Sequence, residues 1–557
     1  MRKQLTQLSI LCVSLIAGLV TAAAPEPARA APISASSAPL IALPERAEIA
    51  PVMDCDALVV PVSQNSGDIV YRIRSATREQ ADQEHPASCL VKGYTAPQTE
   101  FELRLPLSGY NGRFLQGGCG GMCGVIGTQI TPRCSNAHTV SGGFAVAFNN
   151  GGHHSAGIGD ATWAVGDPEL REQFAHKAAH AVAVASKSII QQFYGAPPEW
   201  SYFAGCSGGG REALVEVQRY PEDFDGVVAG SSVAMPAAMQ LFLWEAQQGL
   251  YDDGRPVFTS AAVELLHRKV LDACDTLDGI PDRQIDDPRQ CRFDPAELAC
   301  SEGEDGDATC LNADQVAAAR AYYRGPSDAD GHALFPGGAP YGGELGWIGR
   351  GSPIETGKFA AQSFLQYLLL PDLPADFTWR DWRFSKESLQ RLIKGGELYD
   401  AGQPDISTFQ NAGGKLLMWQ GFADNAAGAY GMLDYYQAMR DQMGGLDNVR
   451  SFARMFLVPG GYHCVGGYVP YDQDFLGAVV NWVETGKAPD AVTAVATLDD
   501  DTIRTRPLYA YPTGTRYLGG DVNSASSFEP REPSNIPQDG FDWPGSLAQE
   551  KPLHISF

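Results

Sequence analysis

The segment best suited to chemistry is Gly205-Cys206-Ser207-Gly208-Gly209. It fits the G-x-S-x-G pattern, in which a serine on a sharp turn between a strand and a helix is lifted above the sheet. Small neighbours leave its hydroxyl free to attack a carbonyl carbon. Both flanks are present: Ser201 to Ala204 reads SYFA, a buried strand, and helical periodicity returns from Arg211 to Arg219. Without that context a glycine-rich stretch is no more than a tight turn. With it, the first N–H groups of the helix lack intrahelical partners and favour negative charge on a carbonyl oxygen. Gly208, after the nucleophile, is the first candidate oxyanion donor. A second comes from the loop Gly117-Gly118-Cys119-Gly120-Gly121, where Gly120 and Gly121 are the competing positions.

Serine chemistry also needs a base. His463 follows an apolar run, Arg454 to Val458, and the turn Pro459-Gly460-Gly461, so a loop can carry its imidazole to the mouth of the same sheet. Asp424, in GFAD, follows another strand predicted to lie in the core, Lys415 to Trp419. The chain order Ser207, Asp424, His463 is that of α/β-hydrolase triads. In such a set the histidine accepts the serine proton, while the carboxylate fixes its tautomer and stabilises the imidazolium. Cys206 precedes the nucleophile and Cys464 follows the base. A bond between them would tie the two catalytic loops together; alternatively each cysteine is a buried apolar residue or pairs elsewhere.

The elements that must position these residues alternate. FELRLPL at Phe101 to Leu107 and GFAVAF at Gly143 to Phe148 read as strands, Glu172 to Phe193 as a helix, and Gly226 to Ala229 as a further strand. Lys415 to Trp419 and Arg454 to Val458 repeat the pattern, separated by a helix through Tyr430 to Gln442. This is an open α/β sheet. Between the halves the alternation disappears, over a segment that holds Cys274, Cys291, Cys300 and Cys310 and many aromatic residues. A structureless loop of that length is improbable, so residues 231–410 are expected to form a lid domain. The remaining boundaries are a signal peptide at 1–30, a flexible lead-in at 31–51, catalytic core at 52–230, and core plus C-terminal extension at 411–557.

The leader follows from Met1-Arg2-Lys3, an apolar run from Leu8 to Val20 that is too short to span a bilayer convincingly, and the small-x-small site Ala28-Arg29-Ala30. Export to the periplasm or the medium is expected, with no stable membrane anchor. The chain of 557 residues is 44% apolar, enough for a large core, and its net charge of -25 repels nucleic acid and anionic lipid. In an oxidising compartment most cysteines should pair. Cys55 and Cys89 are counted among them. Cys274 with Cys291 and Cys300 with Cys310 are plausible local staples, whereas Cys119, Cys123 and Cys134 stay unassigned. A non-catalytic exported carbohydrate-binding or adhesion protein is the alternative, but it would not require a triad in this order. A metallohydrolase is disfavoured because His153 and His154 are adjacent and no H-E-x-x-H occurs.

Together GCSGGGRE at Gly205 to Glu212, QRYPEDFDGVVAG at Gln218 to Gly230, GFAD, and LVPGGYHC at Leu457 to Cys464 resemble the tannase and feruloyl esterase family of serine hydrolases, which includes mono(2-hydroxyethyl) terephthalate hydrolases. The resemblance extends from about Cys55 to Tyr517. It implies an α/β-hydrolase core with a large inserted lid, action on esters of aromatic acids, the triad above, a disulfide joining Cys206 to Cys464, and Gly120 as the second oxyanion donor. It also bears on the acidic segment DTLDGIPDRQID. By composition that segment is either a solvated turn or a site for a hard cation such as calcium. The resemblance implies a structural Ca2+ in the lid, with Asp275, Asp278 and Asp282 as side-chain ligands and Ile280 and Gln284 at backbone-carbonyl positions. No organic cofactor is implied. Trp347 and Phe359 match aromatic positions around substrate in the terephthalate-monoester branch. That branch's carboxylate-clamping arginine falls on Glu355, with Lys358 nearby, and its bulky aromatic on Ala427. Ferulate, gallate and terephthalate esters therefore all stand as substrates, and the oligomeric state is open.

Overall fold

A computed structural model describes residues 40–545 apart from 83–85, 128–137, 139–141, 302–305, 307, 350–351, 425, 427, 470 and 535–540. The expected signal peptide, Cys134 and Ala427 lie outside the described residues.

Ten strands form one mixed sheet in the order β1-β2-β3-β4-β6-β5-β7-β8-β9-β10. They are β1 (Gln64–Ser66), β2 (Ile69–Glu79), β3 (Ser88–Thr95), β4 (Thr99–Pro106), β5 (Arg113–Gly117), β6 (Phe144–Asn149), β7 (Trp200–Cys206), β8 (Gly226–Gly230), β9 (Lys415–Gly421) and β10 (Ala453–Val458). From β6 to β10 every neighbouring pair is parallel, while β1 to β4 extend the sheet antiparallel. The period of two along a strand divides the core into two layers. Leu416 and Met418 pack with Phe203, Val227 and Ala229 under the helix Ala178–Tyr194, and Leu417 and Trp419 face the other way, with Tyr202 and Val228, onto the helix Phe475–Thr485. Parallel strands covered on both faces read as continuous apolar runs, which is why GVVAG and KLLMW stand out in sequence. The sequence predicts no strand before Phe101. In β2 one face is solvated and bears Arg72, Arg74 and Arg78, so no apolar run marks it.

β8 and β9 are direct parallel neighbours, with Gly226 opposite Lys415 and Gly230 opposite Trp419. The insertion from 231 to 414 therefore leaves at the C-terminal end of β8, the edge at which the loops after β7, β9 and β10 also emerge, and returns to the start of β9. Part of this insertion has an apolar core of its own, built on the helices Ser260–Cys274 and Ala313–Arg324. Another part, including the helix Met239–Gln248 and the turns from Gly357 to Leu369, packs into the main core.

Disulfides join Cys55–Cys89, Cys119–Cys123, Cys206–Cys464, Cys274–Cys291 and Cys300–Cys310. Among the described residues no helix is long and apolar enough to cross a membrane. The Cys206–Cys464 bond closes a sequence separation of 258. Replacing both cysteines by serine should lower unfolding stability by about 4 kcal/mol, read from denaturant unfolding, because the unfolded chain regains that loop entropy.

Candidate active site

Ser207 sits where β7 turns into the helix Gly208–Arg219, with φ 62° and ψ -120°. A left-handed backbone costs a non-glycine residue energy, and here it is fixed by Ser207 N–H donating to Gly230 O at 3.0 Å and Arg211 N–H donating to Ser207 O at 2.9 Å. The motif glycines are dictated by space. A Cβ on Gly205 would lie 2.3 Å from Gly209 O, and one on Gly208 would lie 2.3 Å from Gly121 O.

The three residues expected to act together meet. His463 Nε2 is 2.8 Å from Ser207 Oγ, and His463 Nδ1 is 2.9 Å from Asp424 Oδ2. An ionised carboxylate can only accept, so Nδ1 carries the hydrogen and Nε2 is left to accept the serine proton. Asp424 is fully buried, takes a hydrogen bond from Gln420 Nε2 at 2.9 Å on Oδ2, and another from Ala426 N–H at 2.8 Å on Oδ1. Asp424 and His463 follow β9 and β10, and the Cys206–Cys464 bond ties the turn of Ser207 to the loop of His463.

The glycine loop packs against the start of the Gly208–Arg219 helix. Gly118 N–H donates to Ala204 O at 3.0 Å, Cys119 N–H to Glu212 Oε2 at 2.8 Å, and Cys123 N–H to Gly120 O at 3.0 Å. Burial pushes the Glu212 carboxyl up to about 7. Sequence offered no signal for this role, because a glutamate one turn into a helix ordinarily faces water. Gly121 lines the cavity beside Ser207 and Gly208, and Gly120 precedes it in the loop.

That cavity is about 120 Å3 in volume and mostly apolar, walled by Met122, Phe174, Met239, Phe242, Phe364 and Tyr399. Among its described lining residues the cation is Arg211, whose Nη1 donates to Ala175 O at 2.8 Å and whose Nη2 donates to Phe174 O at 2.9 Å. Lys358 lies 3.5 Å from Glu355. The expected aromatic contacts separate. Trp347 is fully buried in the insertion's own core against Phe258, Tyr322 and Tyr323, so it is a packing residue and offers no surface to a ligand. Phe359 is 61% exposed, on the same turn as the cavity residues Ala360 and Ala361. His153, fully buried, stacks on Trp163 at 3.5 Å and approaches Phe174 edge-on, and burial lowers it to about 4; His154 points outward beside Glu100.

The acidic loop is a cluster of oxygens. Asp275 Oδ1 accepts from the N–H groups of Asp282 and Gln284, each at 3.1 Å, and Asp278 Oδ1 accepts from Ile280 N–H at 2.8 Å. Asp278 Oδ2 and Asp282 Oδ1 are buried without a hydrogen-bond partner. Burial, followed by the charge of Asp286, pushes Asp278 up to about 8. Asp282 also pairs with Arg506. Two unsatisfied buried carboxylate oxygens, on aspartates whose charges raise one another's protonation, fit a hard cation, which would supply the missing partner.

A family model described as tannase and feruloyl esterase matches residues 84–530. A probable feruloyl esterase of Arthroderma benhamiae is 34% identical over 440 residues, covering 75% of this chain and 80% of that relative. The mono(2-hydroxyethyl) terephthalate hydrolase of Piscinibacter sakaiensis is 31% identical over 522 residues, covering 80% and 84%. The crystal structure of feruloyl esterase B from Aspergillus oryzae superposes with a TM-score of 0.73 at 26% identity, over 86% of this chain and 99% of that one. With an α/β-hydrolase-like sheet, an inserted lid and a match over most of its length, the chain belongs to the tannase and feruloyl esterase family.

Proposed function

We propose that the protein is an exported serine carboxylesterase that hydrolyses esters of aromatic acids through an acyl-enzyme. The observation that carries this reading is the Ser207–His463–Asp424 relay opening into an apolar cavity. Ser207 Oγ attacks the ester carbonyl as His463 Nε2 takes its proton. Backbone N–H groups of Gly208 and of the Gly120–Gly121 segment stabilise the oxyanion, and protonated His463 gives its proton to the departing alcohol. Water, activated by the same imidazole, releases the aromatic acid. Disulfides throughout the described chain support export to the periplasm or the medium. The test is kcat/KM on methyl ferulate, methyl gallate and mono(2-hydroxyethyl) terephthalate; no serine-dependent turnover on any of them sinks the substrate class.

The cavity also orders these substrates. A carboxylate on the acyl ring would enter apolar walls where Arg211 is already engaged by backbone carbonyls. Burying an unpaired charge is costly, so an uncharged acyl ester should exceed the terephthalate monoester by about tenfold or more in kcat/KM. Equal values, or a preference for the charged acid, would contradict this.

The acidic loop is proposed to hold a structural calcium ion through Asp275, Asp278 and Asp282 with the carbonyls of Ile280 and Gln284. Bound there, the ion would neutralise carboxylates that otherwise repel. Verified removal by a chelator should lower the thermal midpoint by about 5 °C, and an unchanged midpoint would argue against the site.

A further inference from the structure

The acidic loop and the loop of the candidate base are held by the same side chain. His463 lies in a tight loop closed at its base by an antiparallel bridge between Gly461 and Gly467, with Tyr462 N–H donating to Gly466 O at 3.2 Å. Tyr468 follows directly. Its ring is wedged between two backbone surfaces: a Cβ on Gly460, in the turn before His463, would lie 3.1 Å from the ring, and one on Gly342, in the insertion, would lie 2.9 Å from it. His267 packs edge-on at 5.0 Å. The Tyr468 hydroxyl accepts the N–H of Ile285 at 3.0 Å, and Tyr471 Oη donates to Gln284 Oε1 at 2.9 Å. Gln284 and Ile285 belong to the acidic loop, where Asp275 holds the N–H of Gln284. Tyr468 packs against both the insertion's core and the core layer under the sheet.

From this juxtaposition we propose that Tyr468 is a positioning residue that couples cation loading of the Asp275–Asp286 loop to the placement of His463 against Ser207. The proposal rests on reading that loop as a divalent-cation site. With the carboxylates neutralised, the Gln284–Ile285 backbone is fixed, its N–H holds the phenol, and the ring holds the turn before His463. With the carboxylates repelling one another, Ile285 shifts and the ring loses its anchor. The imidazole then drifts from the serine hydroxyl, and small displacements of a catalytic group are expensive in rate.

The test compares the full-length wild type with Tyr468→Phe, which keeps the ring and removes the hydroxyl. The reading is the rate at which a fluorophosphonate modifies Ser207, with calcium and after chelation, alongside bound calcium by elemental analysis and the thermal midpoint. Wild type should slow by about tenfold on chelation, the scale of one buried hydrogen bond. Y468F should retain calcium and the stabilisation calcium confers, react about tenfold more slowly even when loaded, and lose nothing further on chelation. A merely structural tyrosine would move the midpoint and leave the rate of the folded protein alone. Y468F that binds calcium yet reacts and responds to chelation like wild type overturns the coupling by itself. A wild type that binds no divalent cation overturns the coupling together with the cation reading beneath it.

Discussion

Replacing Ser207 by alanine should lower kcat on a methyl ester of an aromatic acid by about 10^4- to 10^6-fold while leaving the melting midpoint near that of wild type. The side chain removed carries the hydroxyl proposed to attack. Its loss leaves His463 Nε2, 2.8 Å away, with nothing to deprotonate. Residual rate would come from water held near His463 and the oxyanion donors. Folding should survive because alanine fits wherever serine does, and the strained backbone at φ 62° is imposed by the hydrogen bonds to Gly230 and Arg211, which do not involve the hydroxyl. Substrate binding should also persist, since the apolar walls are unchanged. The measurement is steady-state hydrolysis with a matched unfolding curve. A folded S207A protein with ordinary turnover would falsify the nucleophile assignment.

Asp424→Asn should cost about 10^4-fold in kcat at neutral pH, with much less change in KM. The carboxylate is fully buried and, among the described residues, receives His463 Nδ1 and Gln420 Nε2 on Oδ2 and Ala426 N–H on Oδ1. An asparagine has one acceptor oxygen and one donor NH2. If its oxygen stays on Ala426, the NH2 faces His463 and forces Nδ1 to accept, so Nε2 carries the hydrogen and cannot take the serine proton. If it turns over, the NH2 faces the Ala426 N–H, and a buried donor pair goes unsatisfied. Either orientation disables the relay or strains the loop. A kcat within tenfold of wild type would mean that His463 does not depend on Asp424 for its tautomer.

Much of the site was legible because its signals are local. Ser207 is marked by a five-residue turn in which Gly205 answers to a steric demand four residues on, Gly209 O. Asp424 and His463 each follow a buried parallel strand, and strands covered on both faces announce themselves as apolar runs. In the parallel half β6, β7, β8, β9 and β10 were visible for the same reason, and β5 was not, because its buried residues include Arg113 and Gln116. Of the antiparallel half only β4, read as Phe101 to Leu107, was visible; β2 carries arginines on its solvated face, so no apolar run marks it.

The same divide runs through the insertion. Aromatic residues there show that a core must exist, but not which rings fill it and which face the substrate. Trp347 went to the core formed with the helices Ser260–Cys274 and Ala313–Arg324, and Phe359, on the turn packed against the helix Met239–Gln248, went to the surface. The sequence alone picked out the candidate triad Ser207, Asp424 and His463, the kind of sheet that bears it and the acidic loop. Tertiary structure alone decided that Cys119 pairs with Cys123, that Glu212 grips the glycine loop, that Arg211 is engaged by backbone carbonyls in an apolar cavity, and that Tyr468 joins the acidic loop to the base. The reason is range for all but the cysteine pair: propensity and periodicity are properties of a few neighbouring residues, whereas the contacts of Glu212, Arg211 and Tyr468 link positions far apart in the chain, and the side chains that make them are chemically ordinary until packing removes their water.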